Sequence, residues 1–295
     1  MIKSSTKITF PGGNTSGQSI IIHIEDMKND PTKTMLFVEE TPFHPLDNRW
    51  PDQPGDKGLI TIDGEDIILE ECLTATYNQN TKEILLDKEI IAKRNDSECF
   101  FLVAHVFDKN IIEKHKDLIG KKVELKVDKD YRYQLSKVHS TCHLAALALN
   151  KSTNKYWKKE FKKDSLGNFD LDSIAVMESK ISEKQSFDRY RLGKSVRKKG
   201  FDSALFLAEI DSVAKEMNLQ IKNWMSNTLE ISILPKIAYL NDVRKWTCLL
   251  PDGKAEILCG GTHVTKLSTK DSFQINLKKE DSEFIMETIF AKNFV

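Results

Sequence analysis

The sequence has few cysteines and no long apolar run. Its five cysteines are odd in number and irregularly spaced, which does not fit a secreted domain held by disulfides. The N-terminus lacks the apolar segment of a signal peptide. No apolar run approaches the roughly 20 residues that a membrane-spanning helix needs. These absences predict a cytoplasmic protein with no membrane partner.

An excess of charge of one sign is also absent. Lys+Arg and Asp+Glu both number 44 in a chain of 295 residues. Such a chain has no general field for polyanions, so nucleic-acid binding would have to depend on local basic patches. The length is sufficient for one large or two modest domains, each with its own core.

The patterning predicts an α+β fold with two parts. Residues 1–130 alternate short β-branched or aromatic runs with turn residues, which predicts antiparallel strands in a small β-barrel-like domain. One long polar loop, 39–58, contains four prolines and is a candidate functional segment. Residues 131–295 predict an α/β domain with an antiparallel sheet, interrupted by a helical insertion at about 151–250.

Two pairs of metal-binding residue types lie more than a hundred residues apart. His139 and His143 fall in an Ala/Leu-rich stretch, so a spacing of four places both imidazoles on one face of a helix. Cys259 and His263 flank two glycines and a threonine, which favour a tight turn that folds the pair back on itself. Thiolate and imidazole suit Zn²⁺. We therefore predict one zinc site, with buried core residues as the alternative. Cys142 points about 100° away from His143 on the same helix, so we interpret it as buried.

Two basic runs are candidates for contact with nucleic acid. In residues 151–163 the aromatic side chains are interleaved with lysines, which is typical either of single-strand stacking or of an amphipathic helix with a solvated face. We favour the helix, because Trp157 and Phe161 are four residues apart. If the runs bind a nucleic-acid backbone, the candidate residues are Lys158, Lys159, Lys162, Lys163, Arg197, Lys198 and Lys199.

With these motifs in hand, the chain resembles the editing domain of alanyl-tRNA synthetase and the free-standing AlaX trans-editing proteins. Thr41–Pro45 (Thr-Pro-Phe-His-Pro) followed by Gln53–Gly58 (Gln-Pro-Gly-Asp-Lys-Gly) is similar to a loop of that family. His139–His143 (His-Ser-Thr-Cys-His) is similar to its His-Thr-Ala-Thr-His helix. Cys259–Val264 matches its Cys-Gly-Gly-Thr-His motif and is the most specific of the three. Residues between 151 and 250 carry little of the resemblance.

The resemblance implies zinc held by the four clustered residues and hydrolysis of serine or glycine wrongly attached to tRNA for alanine. It further implies that Gln53 positions the aminoacyl group and that Thr41, His44 and Thr262 contact the substrate. A turn-stabilising role for Gln53 stays open, and for His44 we favour capping of the loop. Four protein ligands close a tetrahedral site, which is the structural pattern, so whether the zinc is catalytic also stays open.

The loop departs from the family pattern. Pro51 and Asp52 replace the two glycines expected before Gln53, which predicts a remodelled amino acid pocket. The leading hypothesis is a zinc-dependent hydrolase that deacylates mischarged tRNA in trans. The alternatives are an RNA- or protein-binding module in which zinc only joins structural elements, and a metal-dependent hydrolase of a small ester or amide.

Overall fold

A computed structural model describes residues 2–47 and 49–290 of the chain. Asn48, which belongs to the predicted loop, lies outside the described residues. The chain forms two compact units. The first comprises Met1–Tyr133, Ile233–Arg244 and Gly260–Thr262, and the second comprises Gln134–Ser232, Lys245–Cys259 and His263–Val295. The sequence-based division had assigned both short segments of the first unit to the second part.

The first unit is built on an antiparallel sheet of eight strands. Alternating burial along the strands, as in Lys122–Val127, buries one row of apolar side chains and exposes the other. The strands of this unit are β1 (Lys7–Ile8), β2 (Ser16–Asp26), β3 (Lys33–Val38), β4 (Glu40–Thr41), β5 (Gly58–Ile62), β6 (Glu65–Ile68), β7 (Glu71–Asn78), β8 (Ile84–Leu86), β9 (Cys99–Asp108) and β10 (Lys122–Val127). A short helix, α1 (Lys109–Ile112), follows β9.

This sheet is open, and the predicted barrel does not form. Its strand order is β6-β5-β10-β2-β3-β9-β7-β8, so among the described residues β6 and β8 are edge strands with no pairing between them. Strand β1 pairs with β4 in parallel, outside the main sheet. The sequence pattern fixes which face of a strand is buried, but it does not say whether the last strand returns to the first.

The second unit begins within a long helix, α2 (Lys129–Thr153). Two four-stranded sheets follow, in the orders β11-β12-β18-β17 and β15-β14-β13-β16, and the pairs β11–β12, β12–β18, β17–β18, β14–β15 and β13–β16 are antiparallel. Their strands are β11 (Val176–Ile181), β12 (Gln185–Arg191), β13 (Leu229–Leu234), β14 (Lys245–Leu250), β15 (Gly253–Leu258), β16 (Lys266–Leu267), β17 (Phe273–Glu280) and β18 (Glu283–Phe290). The remaining helices are α3 (Leu171–Ala175), α4 (Lys194–Lys198), α5 (Ser203–Ala208) and α6 (Ile210–Trp224).

Within the predicted helical insertion, α5 and α6 do form helices. Helix α6 buries Val213, Met217, Ile221 and Trp224, a stripe at helical spacing. The amide of Asn218 fixes this helix on β17, since Nδ2 donates to Ile275 O at 2.7 Å and Oδ1 accepts from Ile275 N at 2.9 Å. The chain is a mixed α+β protein with mostly antiparallel sheets. No helix of the described part has the length and apolar character needed to cross a membrane.

The segment 151–250 is not simply helical. It contains β11 to β14 as well as four short or medium helices. The amphipathic helix predicted across 151–163 is also wrong, because α2 ends at Thr153 and residues 154–156 form a single turn of 3₁₀ helix. Trp157 then forms a β-bridge with Phe201 and stacks on Phe161, with ring centroids 5.0 Å apart. The spacing of four reflects this extended packing rather than a helical stripe.

Candidate metal centre

The four predicted ligands lie together in the second unit. His139 and His143 are one turn apart on α2, Cys259 directly follows β15, and His263 is four residues further along. Their ligand atoms all lie within 4.8 Å of one another. Cys259 Sγ is 3.4 Å from His139 Nε2 and 3.2 Å from His263 Nε2. This cluster could hold a metal ion.

The donor set fits a tetrahedral ion. Zinc–sulfur bonds are about 2.3 Å long and zinc–nitrogen bonds about 2.0–2.1 Å, so a tetrahedral site places its S and N ligand atoms about 3.6 Å apart. The distances from Cys259 Sγ to the two Nε2 atoms are slightly shorter than this. His143 Nε2 is buried and has no hydrogen-bond partner among the described residues. A buried nitrogen of this kind is costly unless it is bound, so a metal ligand role explains it.

Ser140 orients His263. Its hydroxyl donates to Ser136 O at 2.8 Å, so the single hydroxyl proton is already used and Oγ can only accept its other contacts. It accepts from Val264 N at 3.3 Å and lies 3.2 Å from His263 Nδ1. His263 therefore carries its proton on Nδ1 and directs the lone pair of Nε2 toward Cys259. Such outer contacts fix the tautomer of a metal-binding histidine.

The electrostatics favour the ligand-competent protonation states. Burial lowers the pKa of His263 to about 3, which keeps its imidazole neutral at pH 7. For Cys259, burial by itself raises the pKa of the thiol, but the neighbouring imidazoles of His139, His263 and His143 outweigh it and hold the pKa well below its usual value. Neutral imidazole and thiolate are the forms that bind metal.

Gln53 is bonded to Thr262 within the first unit. Its Nε2 donates to Thr262 Oγ1 at 2.8 Å, and its Oε1 accepts from Thr262 N at 2.9 Å. Only 1% of the Gln53 surface is exposed. Gln53 and Thr262, 209 residues apart in the chain, are thus joined through one side chain. Both polar ends of the Gln53 amide are used on protein.

Thr41 and His44 are buried in the first unit. Thr41 Oγ1 lies 2.9 Å from His105 Nε2 and accepts from Phe43 N at 3.1 Å. His44 packs edge-on against Phe10, with ring centroids 5.0 Å apart. Loop capping by His44 and substrate contact by either residue both stay predictions.

Three of the candidate tRNA-binding lysines form ion pairs. Lys158 lies 2.6 Å from Asp202, Lys162 lies 3.0 Å from Asp170, and Lys163 lies 3.4 Å from Glu160. Lys199 lies over the Phe161 ring at 4.8 Å, and Arg197 donates to Leu192 O. Lys159 and Lys198 are exposed. The basic run is therefore partly neutralised by Glu160, Asp170 and Asp202.

Two groups of polar residues were not predicted from the sequence. Asp56 is buried and bonded to Arg132, and the only signal was its place in the loop motif. In the second unit, burial raises the pKa of Asp188 to about 7, and the Cys142 thiol lies 3.7 Å from its carboxylate. Cys142 is buried, as predicted. Nothing in the local sequence places Asp188 beside that helix.

Comparison of the chain with models of protein families and with curated proteins finds no match.

His105 gives the first unit a defined response to acid. Burial lowers the pKa of His105 from 6.5 to about 4. The unfolded chain therefore binds a proton between pH 6.5 and 4 that the folded chain does not, so stability is lost as the pH falls through this window. We expect His105 to account for up to about 3 kcal/mol of this loss. Urea unfolding of wild type and His105→Gln at pH 7.5 and 4.5 measures it.

The difference in the free energy of unfolding between His105→Gln and wild type should be smaller at pH 4.5 than at pH 7.5. His23→Gln, which replaces a half-exposed histidine, is the matched control and should run parallel to wild type. A His105→Gln difference that is the same at both pH values would contradict this assignment.

Proposed function

We propose that this chain is a zinc-dependent hydrolase that deacylates mischarged aminoacyl-tRNA, with seryl or glycyl esters of tRNA for alanine as substrates. The observation that carries the proposal is the cluster of His139, His143, Cys259 and His263, assembled from two distant pairs. The bond from Gln53 to Thr262 adds the third motif of the same resemblance. Hydrolysis adds water across the ester bond and releases a free amino acid and the ribose hydroxyl of the tRNA.

The protein's part is to position groups. A zinc ion held by His139, His143, Cys259 and His263 would supply Lewis acidity toward the ester carbonyl. Ser140 holds His263 in the tautomer that can bind metal. Gln53 fixes both the backbone N–H and the hydroxyl of Thr262, which directly precedes His263 in the chain. Gln53 is therefore a positioning residue in this proposal, and Thr262 is the candidate for substrate contact.

Two observations favour a second candidate, a module in which zinc only joins structural elements. All four metal ligands come from the protein, which is the pattern of structural sites. The amide of Gln53 is also used within the protein on both of its polar ends. This candidate predicts zinc binding without turnover. The third candidate, a hydrolase of small esters, predicts turnover that does not require tRNA.

A deacylation assay separates the three candidates. Wild-type protein is incubated with seryl, glycyl and alanyl esters of tRNA for alanine, with aminoacyl esters of small alcohols as controls. The proposal predicts faster loss of seryl or glycyl groups than of alanyl groups, and little hydrolysis of the small esters. Equal rates on small esters favour the third candidate. Zinc-loaded protein that hydrolyses nothing favours the structural module.

Gln53→Ala tests the positioning role. The change leaves the N–H and hydroxyl of Thr262 without this partner, which costs about 1–3 kcal/mol of stability. We expect kcat/KM to fall by at least about tenfold at a temperature where both proteins are folded, with the zinc content unchanged. Gln79→Ala, which removes an exposed glutamine bonded to Ser97 O, is the control. Unchanged turnover on every substrate that wild type cleaves would show that the site is misplaced.

A further inference from the structure

The first unit contains a pocket with three arginines in its wall. We refer to it as the arginine pocket, and the lining residues used below are Arg49, Arg94, Arg244, Asp47, Asn241 and Gly260. Asp47 is the one acidic residue in this lining within the described part of the chain. The wall therefore carries an excess of positive charge although the whole chain has none. Guanidinium groups present several N–H donors in a planar fork that matches oxyanions.

The arginines are held in place by the fold. Arg244 is only 3% exposed, lies over the Phe10 ring at 5.1 Å and donates to Gly260 O. Arg94 pairs with Asp47 at 2.7 Å, and Arg49 donates to Ala92 O. Burial of a cation is unfavourable unless anionic or polar groups compensate it. Side chains fixed in this way lose little freedom when they bind a ligand.

Because Gly260 has no side chain, the point at which Arg94, Asp47 and Arg244 converge stays open. A Cβ at this position would lie 3.3 Å from Arg94 Nη2, 3.5 Å from Asp47 Oδ2 and 3.9 Å from Arg244 Nη2. Two guanidinium groups and a carboxylate therefore approach the same point. The cavity measures about 20 Å³, somewhat more than the roughly 10–15 Å³ that one water-sized group needs, so its enclosed part takes a small group.

Asn241 requires that the bound group donate a hydrogen bond. Its Nδ2 donates to Arg94 O at 3.2 Å, so its Oδ1 faces the other way, and Oδ1 is buried with no hydrogen-bond partner among the described residues. A carboxylate or sulfate at neutral pH has no proton to offer this oxygen. A phosphomonoester has a second pKa of about 6, so its monoanionic form, which predominates below that pH, has an O–H as well as anionic oxygens.

We propose that the arginine pocket binds a terminal phosphate group, either of a small phosphomonoester or at the end of an RNA. Arg94 and Arg244 contact the anionic oxygens, and Asn241 accepts the phosphate O–H. The pocket belongs to the first unit alone, and the proposal depends neither on the metal nor on hydrolysis.

Calorimetric titration with inorganic phosphate at constant ionic strength tests the site. Wild type should bind one phosphate per chain, and sulfate more weakly. Arg94→Gln should weaken phosphate binding by at least about tenfold, the loss expected for one charge-assisted hydrogen bond. Arg191→Gln removes a comparable arginine from an ion pair of 2.8 Å with Glu283 in the second unit and is the control.

Gly260→Ala tests the same space without changing any charge. The added methyl group meets the movable end of Arg94, so the fold should tolerate it while phosphate affinity falls by at least about tenfold. Gly12→Ala, where no atom lies within 4 Å of the new Cβ, is the matched control and should change affinity by less than about twofold. Zinc content is measured for both, because Gly260 follows Cys259 in the chain.

Competition with RNA identifies the source of the phosphate. A short RNA with a 5′-phosphate that competes with inorganic phosphate, while its 5′-hydroxyl version does not, supports the site with RNA as the source. No competition by either RNA, with phosphate still bound, supports the site with a small phosphomonoester. Absence of phosphate binding to wild type, equal binding of sulfate, or unchanged affinity in both Arg94→Gln and Gly260→Ala would overturn the proposal.

Discussion

Replacing both His139 and His143 with alanine is expected to abolish stoichiometric zinc binding. The two imidazoles supply half of the four ligand atoms, and changes even in the outer contacts of a metal site weaken it by about 10–100-fold. Loss of two ligands should therefore weaken zinc binding by well over about a hundredfold. Elemental analysis after dialysis against a weak chelator measures the remaining metal, and turnover of mischarged tRNA should be lost with it.

The control for this double variant is His23→Ala with His115→Ala, which removes two histidines of the first unit. It should retain one zinc per chain. A full equivalent of zinc in the His139→Ala, His143→Ala protein would show that the metal binds elsewhere.

Asp56→Asn is expected to be the most destabilising single change. Arg132 Nε donates to Asp56 Oδ1 at 2.7 Å, and Arg132 Nη2 also bonds to Asp56 Oδ2. The Asp56 side chain is fully buried and that of Arg132 is 6% exposed. Asparagine keeps the shape but leaves the buried guanidinium without its counter-charge. Removing one partner of a buried pair costs about 3–5 kcal/mol, which urea unfolding can measure.

Asp63→Asn is the matched control. Asp63 forms a 2.6 Å ion pair with Lys121 but is exposed, so solvent already screens the pair. Its backbone φ is 52°, a conformation that asparagine also adopts readily. We expect a free energy of unfolding close to that of wild type. If Asp56→Asn lowers the free energy of unfolding no more than Asp63→Asn does, the buried pair has no structural role.

The sequence predicted local features well. Short apolar runs such as 19–24 and 122–127 became β2 and β10, because alternating burial has the same period as the strand. The ligand pairs were found for a similar reason: a spacing of four on a helix, or around a glycine turn, is a local property. The prediction that the two pairs come together in one site depended on their residue types and on the resemblance.

The features that were missed depend on contacts between distant residues. Trp157 and Phe161 suggested a helix, but Trp157 instead forms a β-bridge with Phe201, 44 residues further on. The bond between Gln53 and Thr262 and the pairing of Asp56 with Arg132 also join separate parts of the chain. The arginine pocket draws on three separated segments of the first unit, and no local pattern indicates that Arg94 and Arg244 converge at Gly260.

X-ray absorption at the zinc edge of the purified wild-type protein tests the metal centre most directly. We expect one zinc per chain with one sulfur at about 2.3 Å and three nitrogens at about 2.0–2.1 Å. These are the thiolate of Cys259 and the imidazoles of His139, His143 and His263. Protein without stoichiometric zinc, or zinc in a shell of oxygen and nitrogen with no sulfur, would contradict it.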